Sequence, residues 1–251
     1  MTDPTSTDRL PPHPVLPRHY ATAGHRVPYI RDLFDSTADG YDRINAWMSL
    51  NQGEKYRRDM LIKAGLTKGQ TVLDIASGTG VLAAHAQDLV GPQGLVIATD
   101  PSIPMLQVAS HRGVQHRVAG VAERLPVADS SVDLVSMGYA LRHVNDLMAT
   151  FREYRRVLRA GGQLMILEMV PPASRIGYGL TKVYLKYLVP TLAAVVTRGA
   201  KGHRLMSYYW DTIAGCVPAE TVLQALREAG FSEVSRATQL GILTEYRARS
   251  S

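Results

Sequence analysis

The sequence predicts an α/β domain with a doubly wound, mostly parallel sheet. Three observations carry that prediction. Short β-branched runs recur between residues 71 and 168, and segments with helical spacing alternate with them. The first run also ends in a glycine-rich turn that opens a helix, and strand and helix alternating in this way build a parallel sheet with right-handed crossovers. A length of 251 residues suits one such domain with elaborations.

The elements follow in chain order. Residues 1–25 hold five prolines among Ser, Thr and scattered charges, a composition that predicts a disordered tail. Residues 26–66 have a helical pattern broken by Gly40 and Gly53, which predicts an N-terminal cap of two or three short helices. "TVLDIA" reads as the first strand and "HAQDLV" as its helix; "LVIATD", "QHRVAG", "VDLVSM" and "QLMILE" read as strands two to five. Before the fifth, Leu147, Phe151, Tyr154 and Leu158 recur at three or four positions and mark an amphipathic helix. Asn145 is its expected N-cap, and Gly161 with Gly162 its expected stop. Residues 171–216 are an aromatic and apolar helical insertion, expected as a lid; "AETVLQALREAGF" is a helix. "EVSRA" and "GILTEY" close the chain as a hairpin or edge pair, bringing the sheet to seven strands with an antiparallel terminal one.

Composition narrows the class. A single cysteine, Cys216, cannot make an internal disulfide, and no Cys/His cluster has metal-ligand spacing. With no apolar run near the N-terminus, a cytoplasmic compartment is expected and no metal. The basic excess is local: residues 152–204 hold ten Lys and Arg against two Asp and Glu. It reads as a solvated helix face by default, or as a surface for nucleic acid, an anionic membrane or an acidic ligand.

The chemistry is carried by "LDIASGTG", which sets Gly78 and Gly80 after a strand and at a helix start. Glycines there let a ligand approach the backbone and the free amides of the helix. Asp100 stands twenty positions past Gly80 at the end of the second strand, where a carboxylate takes both hydroxyls of a ribose. The G-x-G-x-x-G spacing of a dinucleotide site is absent, and no P-loop lysine follows.

The pattern resembles class I S-adenosylmethionine methyltransferases. Within them it is closest to the UbiE-type quinone C-methyltransferases, through "LFDSTADGYDRINAWMS", "VLDIASGTG", "AERLPVADSSVDLV", "YALRHV", "EYRRVLRAGGQLMILE" and "LREAGF" in that order. The resemblance implies a Rossmann-like sheet, a single methyltransferase domain over residues 26–251 with a helical substrate cap, and S-adenosyl-L-methionine as cofactor. It implies that Asp74, Ala76, Gly78 and Gly80 form the methionine loop, with Asp100 and Pro101 at the ribose. Met105, Ala122 and Glu123 would meet the adenine, and Tyr41 and Tyr139 would close over the methionine. Met105 also reads as core, Tyr41 as a pin between cap and sheet, and Glu123 as a helix-start charge. The residue before Ala122 is Val121, where the family has a polar residue.

Arg142 and His143 follow the fourth strand at the ligand edge of the sheet. The resemblance makes Arg142 a residue that stabilises a phenolate or orients a water, since an arginine does not give up its proton. His143 stands where the family has asparagine and titrates in the range of a general base. Both also read as local structure, a cap or salt bridge and a satisfied loop histidine. Tyr184, Tyr208, Tyr209 and Trp210 are the candidates for a ring pocket. Ile176, Leu180, Val183, Tyr184, Tyr187 and Leu188 share a helix face, read either as core-facing or as an interfacial lid admitting a prenyl tail at the inner membrane surface. The resemblance therefore implies a small hydrophobic quinol or phenolic acceptor. A homodimer stays open, and so do an O- or N-methyltransferase acting on a lipid or natural product and a non-catalytic cofactor-binding protein. No nucleic-acid partner is expected, because no NPPY-type or catalytic-cysteine motif accompanies the sheet.

Overall fold

The computed structural model describes residues 9–49, 52–196 and 200–251. Three helices, α1 (Arg26–Asp35), α2 (Ala38–Met48) and α3 (Gly53–Lys63), precede the sheet. Then come β1 (Thr71–Ile75), α4 (Val81–Val90), β2 (Leu95–Asp100), α5 (Ile103–His111), β3 (His116–Ala119) and β4 (Val132–Gly138). The chain continues through α6 (Leu147–Val157) and β5 (Leu158–Met169) into a helical insertion. That insertion is α7 (Arg175–Val183), a π-helical turn at Tyr184–Leu188, α8 (Val189–Val196) and α9 (Ala200–Gly215); α10 (Ala219–Glu228), β6 (Phe231–Gln239) and β7 (Leu243–Ser250) complete the fold.

The seven strands run β3-β2-β1-β4-β5-β7-β6. β7 pairs antiparallel with both β5 and β6, so six strands point one way and β7 alone runs against them. β1 is buried along nearly its whole length, as a strand covered by helices on both faces must be. Register then places the site. Ile75 lies opposite Thr99 of β2 and Met137 of β4, so the three strands end level and the turns after them emerge side by side. Strand order reverses between β1 and β4, the switch point where open α/β sheets hold ligands.

Three sequence expectations change. α6 is capped by Asp146 rather than Asn145: the Asp146 carboxylate accepts from the Met148 and Ala149 amides at 2.9 and 3.4 Å, and an aspartate cap also favours the dipole. The helix stops at Val157, before Gly161 and Gly162, because Leu158 is already extended (ψ 136°). Those glycines fall inside β5, beside the register shift between Val132 and Leu134. The expected tail is packed from residue 9 onward, and residues 1–8 lie outside the described residues. The Leu10 amide donates to Asp146 at 3.3 Å, the Leu147 amide to the Leu10 carbonyl at 2.9 Å and the Val217 amide to Pro12 at 2.8 Å. His13 and Tyr20 are buried beneath this strap. Composition missed it because the prolines that look like disorder also stiffen the chain and lower the entropy lost on docking.

Buried hydrophobics cluster on the two faces of the sheet and in a third group where α1, α2 and the insertion meet. In the third group Leu33, Ile44, Leu185, Val189, Leu205 and Ile213 share a core with Tyr208, Tyr209 and Trp210. The residues before the sheet and those inserted after β5 thus stabilise one another.

Candidate active site

A cleft of about 210 Å³ opens over the ends of β1, β2 and β4. Ala76, Gly78, Asp100 and Pro101 line its floor, Met105, Ala122 and Glu123 one end, and Tyr41, Tyr139 and His143 the other. Helix α1 forms a wall with Val27, Ile30 and Phe34. No spacing in the sequence marks that wall, because its contacts arise only when the N-terminal helices fold back over the sheet.

The glycine turn is built for close approach. Gly78 and Gly80 have φ of +57° and +78°. A Cβ at Gly80 would stand 2.8 Å from the Ala109 Cβ, whereas one at Gly78 would meet nothing within 4 Å. Gly80 is therefore demanded by packing against α5, and Gly78 leaves open the space a ligand takes. Ala76 and Tyr139 also have positive φ, +50° and +62°. Each such non-glycine residue costs about 1–3 kcal/mol, and these two follow the strands on either side of the switch point.

The acids divide their work. Asp74 is buried, and its two oxygens accept from Ser77 Oγ at 2.6 Å and Ser136 Oγ at 2.7 Å. It braces the turn and does not line the cleft. Asp100 accepts from the Gly78 and Ser102 amides, both at 2.8 Å, and does line it. Burial pushes both carboxyls up to about 6, against the lowering by these hydrogen bonds. Donors from a bound ribose or ammonium would favour the ionised form, so the donor set fits S-adenosylmethionine. Asp42, beside Tyr41, accepts from Thr79 Oγ1 at 2.5 Å and from Arg112 at 2.9 Å, tying α2 to the glycine turn. Glu123 accepts from the Asn145 amide at 2.5 Å and so pins the turn carrying His143. Val121, half-exposed, supplies only apolar surface and backbone there.

The structure corrects the expectation of an arginine aimed at the substrate. Arg142 is 0% exposed and borders neither large cavity. Its Nη1 is paired with Glu168 and donates to the Tyr139 carbonyl at 2.8 Å, and Nε donates to Thr212 at 3.2 Å. The guanidinium carbon sits 4.0 Å from the centre of the Tyr209 ring. Arg142 thereby fixes Tyr139 and Tyr209, and Glu168 raises its pKa further despite burial. His143 does face the cleft. Burial, then the charge of Arg142, lowers its pKa well below the usual value, so the ring is neutral. Nδ1 lies 3.3 Å from the Tyr208 hydroxyl, while Nε2 is buried without a partner.

A second cavity of about 790 Å³ adjoins the first, and Tyr139 lines both. Its walls come from α2, α3, α7 and the β6–β7 turn, with Met169 at the end of β5, Tyr184 of the π-helical turn and Tyr209 of α9. Of the four aromatic ring-pocket candidates, Tyr184 and Tyr209 line it. Tyr208 and Trp210 are instead buried, the first stacked on His143 with ring centres 5.4 Å apart and the second edge-on to Tyr178. Successive positions on a helix face different ways, so three adjacent aromatics on α9 do not share one pocket. Asn45, inside the first motif of the family resemblance, also lines this cavity, as do Arg57 and Tyr56, which carried no sequence signal.

Comparison with known proteins agrees with this geometry. Residues 22–248 match the ubiE/COQ5 methyltransferase family. The chain is 34% identical over 210 residues to the ubiquinone/menaquinone biosynthesis C-methyltransferase UbiE of Hahella chejuensis, covering 81% of this chain and 83% of that protein. It is 35% identical over 215 residues to the demethylmenaquinone methyltransferase of Symbiobacterium thermophilum, covering 82% and 85%. Among solved structures, an S-adenosylmethionine-dependent methyltransferase from Thermotoga maritima superimposes with a TM-score of 0.64 at 21% identity, over 88% of this chain and all of that one. Haemonchus contortus phosphoethanolamine N-methyltransferase 2, solved with S-adenosyl-L-methionine, gives 0.61 at 15% identity over 88% of this chain and 59% of that one. The chain belongs to the ubiE/COQ5 methyltransferase family and is an S-adenosylmethionine-dependent methyltransferase with a Rossmann-like sheet.

Proposed function

We propose that this enzyme methylates a ring carbon of a prenylated quinol of the ubiquinone or menaquinone type. The observation that carries the reading is the pair of cavities meeting at Tyr139: an acid-marked cleft beside a larger apolar one. A volume of about 790 Å³ lies within the range of small-molecule sites and admits an aromatic ring with part of an isoprenoid tail.

Asp100 would hold the ribose, Gly78 and Ala76 would pass the methionine along the β1 end, and Met105 and Ala122 would flank the adenine. Bound there, S-adenosylmethionine supplies an electrophilic methyl group whose bond to sulfur breaks with its electron pair left on sulfur. The protein's share is alignment and exclusion of water. The acceptor's ring carbon provides the electron pair for the new carbon–carbon bond and then loses its proton to restore the aromatic ring. That proton passes to water in the larger cavity, since His143, although neutral, lines the smaller cleft and not that cavity. A weak base suffices, because a methylated ring still carrying its proton is a strong acid.

Leu180 and Leu240 line the larger cavity and are 68% and 88% exposed, and Ile176 is 79% exposed. No helix among the described residues is long and apolar enough to cross a membrane. The exposed rim, with Lys182 and Lys186 on the same segment, fits contact with an anionic bilayer from which a prenylated acceptor enters. The deciding experiment is transfer of labelled methyl to a purified demethylated quinol, with the product mapped by NMR. A ring C-methyl is expected, and an O-methyl product or no product overturns the reading. Co-sedimentation with phosphatidylglycerol vesicles that survives Leu180→Glu with Leu240→Glu overturns the membrane contact.

A further inference from the structure

Carbon methylation of a phenolic ring needs its oxygen to be ionised or nearly so, because the oxyanion pushes electron density onto the ring carbon. The arginine after β4 does not meet that oxygen: Arg142 is closed off with Glu168. Another cation in the larger cavity is Lys55, which reaches outward to Asp59 at 3.6 Å with 78% of its side chain exposed. Arg57 is different. It lines the cavity, is half-buried, and makes no hydrogen bond or ion pair among the described residues. Its guanidinium carbon stands 4.8 Å from the centre of the Tyr139 ring, the side chain shared by both cavities.

The room for that guanidinium is made locally. Gly53 lies one helical turn before Arg57, and a Cβ there would stand 2.9 Å from Arg57 Nη1 and 3.0 Å from Ser49 Oγ. A guanidinium carries five donors and no acceptor. Held half-buried on an aromatic face, with no hydrogen-bond or ion-pair partner among the described residues, it is placed to bind an anion. On the same wall the Tyr56 hydroxyl is buried without a partner. The nearby carboxylate Asp74 is already satisfied by two serines.

We propose that Arg57 binds the ring oxygen of the methyl acceptor as its phenolate, the hydroxyl proton passing to bulk water as the ring seats. This rests on a phenolic acceptor occupying the larger cavity. Arg57 does not line the smaller cleft, where Arg31 is the cation, so its partner is the acceptor rather than the carboxylate of the cofactor.

The test uses the full chain and 4-nitro-1-naphthol, whose phenol and phenolate absorb at different wavelengths. The bound probe is expected to ionise at least one pH unit below the free probe, a tenfold preference for the anion. Arg57→Gln removes that shift and weakens phenolate binding about tenfold, while calorimetric affinity for S-adenosylmethionine stays within twofold. Arg57→Lys retains part of the shift as a point charge. Gly53→Ala, which crowds the guanidinium without removing it, lowers the shift by less than Arg57→Gln. An unchanged shift in Arg57→Gln overturns the proposal, and so does a loss of cofactor affinity with the probe unaffected. An Arg57-dependent shift in an enzyme that methylates no quinol upholds phenolate binding and refutes the quinol acceptor. Quinol methylation with an Arg57-independent shift refutes this proposal alone.

Discussion

The two cavities are built by opposite means. The smaller cleft stands on strand ends that parallel register holds level, with Ile75 opposite Thr99 and Met137. The larger one is enclosed by helices from both sides of the sheet in sequence, α2 and α3 before it and α7 after β5, and by the β6–β7 turn. A site on register is held by the whole sheet, and each of its residues sits a short, fixed distance after a strand. A site between helices depends on how those helices pack, so its polar residues carry no common spacing.

The largest expected effect tests what joins the two. Arg142→Met leaves Glu168 buried and unpaired, and breaking such a pair costs about 3–5 kcal/mol. Denaturant unfolding should show that loss, and Arg142→Met combined with Glu168→Leu should recover most of it. A loss below about 1 kcal/mol would mean that the two cavities are held together by something else.

On the cleft side, Asp100→Asn removes the charged acceptor at the ribose position. Hydrogen bonds to charged groups are worth about 1.5–3 kcal/mol, so S-adenosylmethionine should bind roughly 10- to 100-fold more weakly by calorimetry while the naphthol probe still binds. Acidity should act on the same side. Burial lifts Asp100 to about 6 in the free protein, and the ligand's donors favour its ionised form, whereas Asp74, behind the turn, meets no ligand donor. Below that pH a proton must leave Asp100 before the ligand binds, so affinity should fall by up to about tenfold per pH unit. Affinity that is flat between pH 7 and 5 would count against carboxylate recognition.

The glycines sharpen the contrast within the cleft. Gly80→Ala adds a clash with Ala109 to an unfavourable left-handed backbone and should cost about 2–3 kcal/mol; Gly78→Ala meets open space and should cost about 1–2 kcal/mol. The second variant should nevertheless lose more cofactor affinity than its stability loss explains. Smallest of all, Leu180→Gln on the exposed rim should change stability by under about 0.5 kcal/mol. A larger change by thermal melting would mean that the rim is covered.

Legibility followed the same division. Asp100 and Gly78 were readable because each lies at a set offset from a β-branched run, Met105 and Ala122 through the family resemblance, and all four line the cleft. Asp74 and Gly80 were readable as part of the turn, yet they shape it from behind. Arg142 and His143 stood together in the sequence, but one turn of 3-10 helix sends Arg142 inward to Glu168 and His143 to the cleft. Trp210 and Tyr208 were chosen by composition, and the packing of α9 buries both. Arg57 and Tyr56 were unreadable, because a basic and an aromatic residue on a polar helix look like solvated surface until α7 and the β6–β7 turn close over them.

The sequence by itself determined the sheet, the order of alternating strands and helices, the glycine turn and the ribose acid. These follow from local periodicity and short offsets that hold wherever the chain ends up. Tertiary structure alone decided which basic residue is buried as a strut and which faces the acceptor cavity, and it decided that the proline-rich start packs down. Those outcomes depend on partners far apart in sequence, Glu168 for Arg142 and Asp146 for Leu10, whose burial and pairing exist only once the elements have docked.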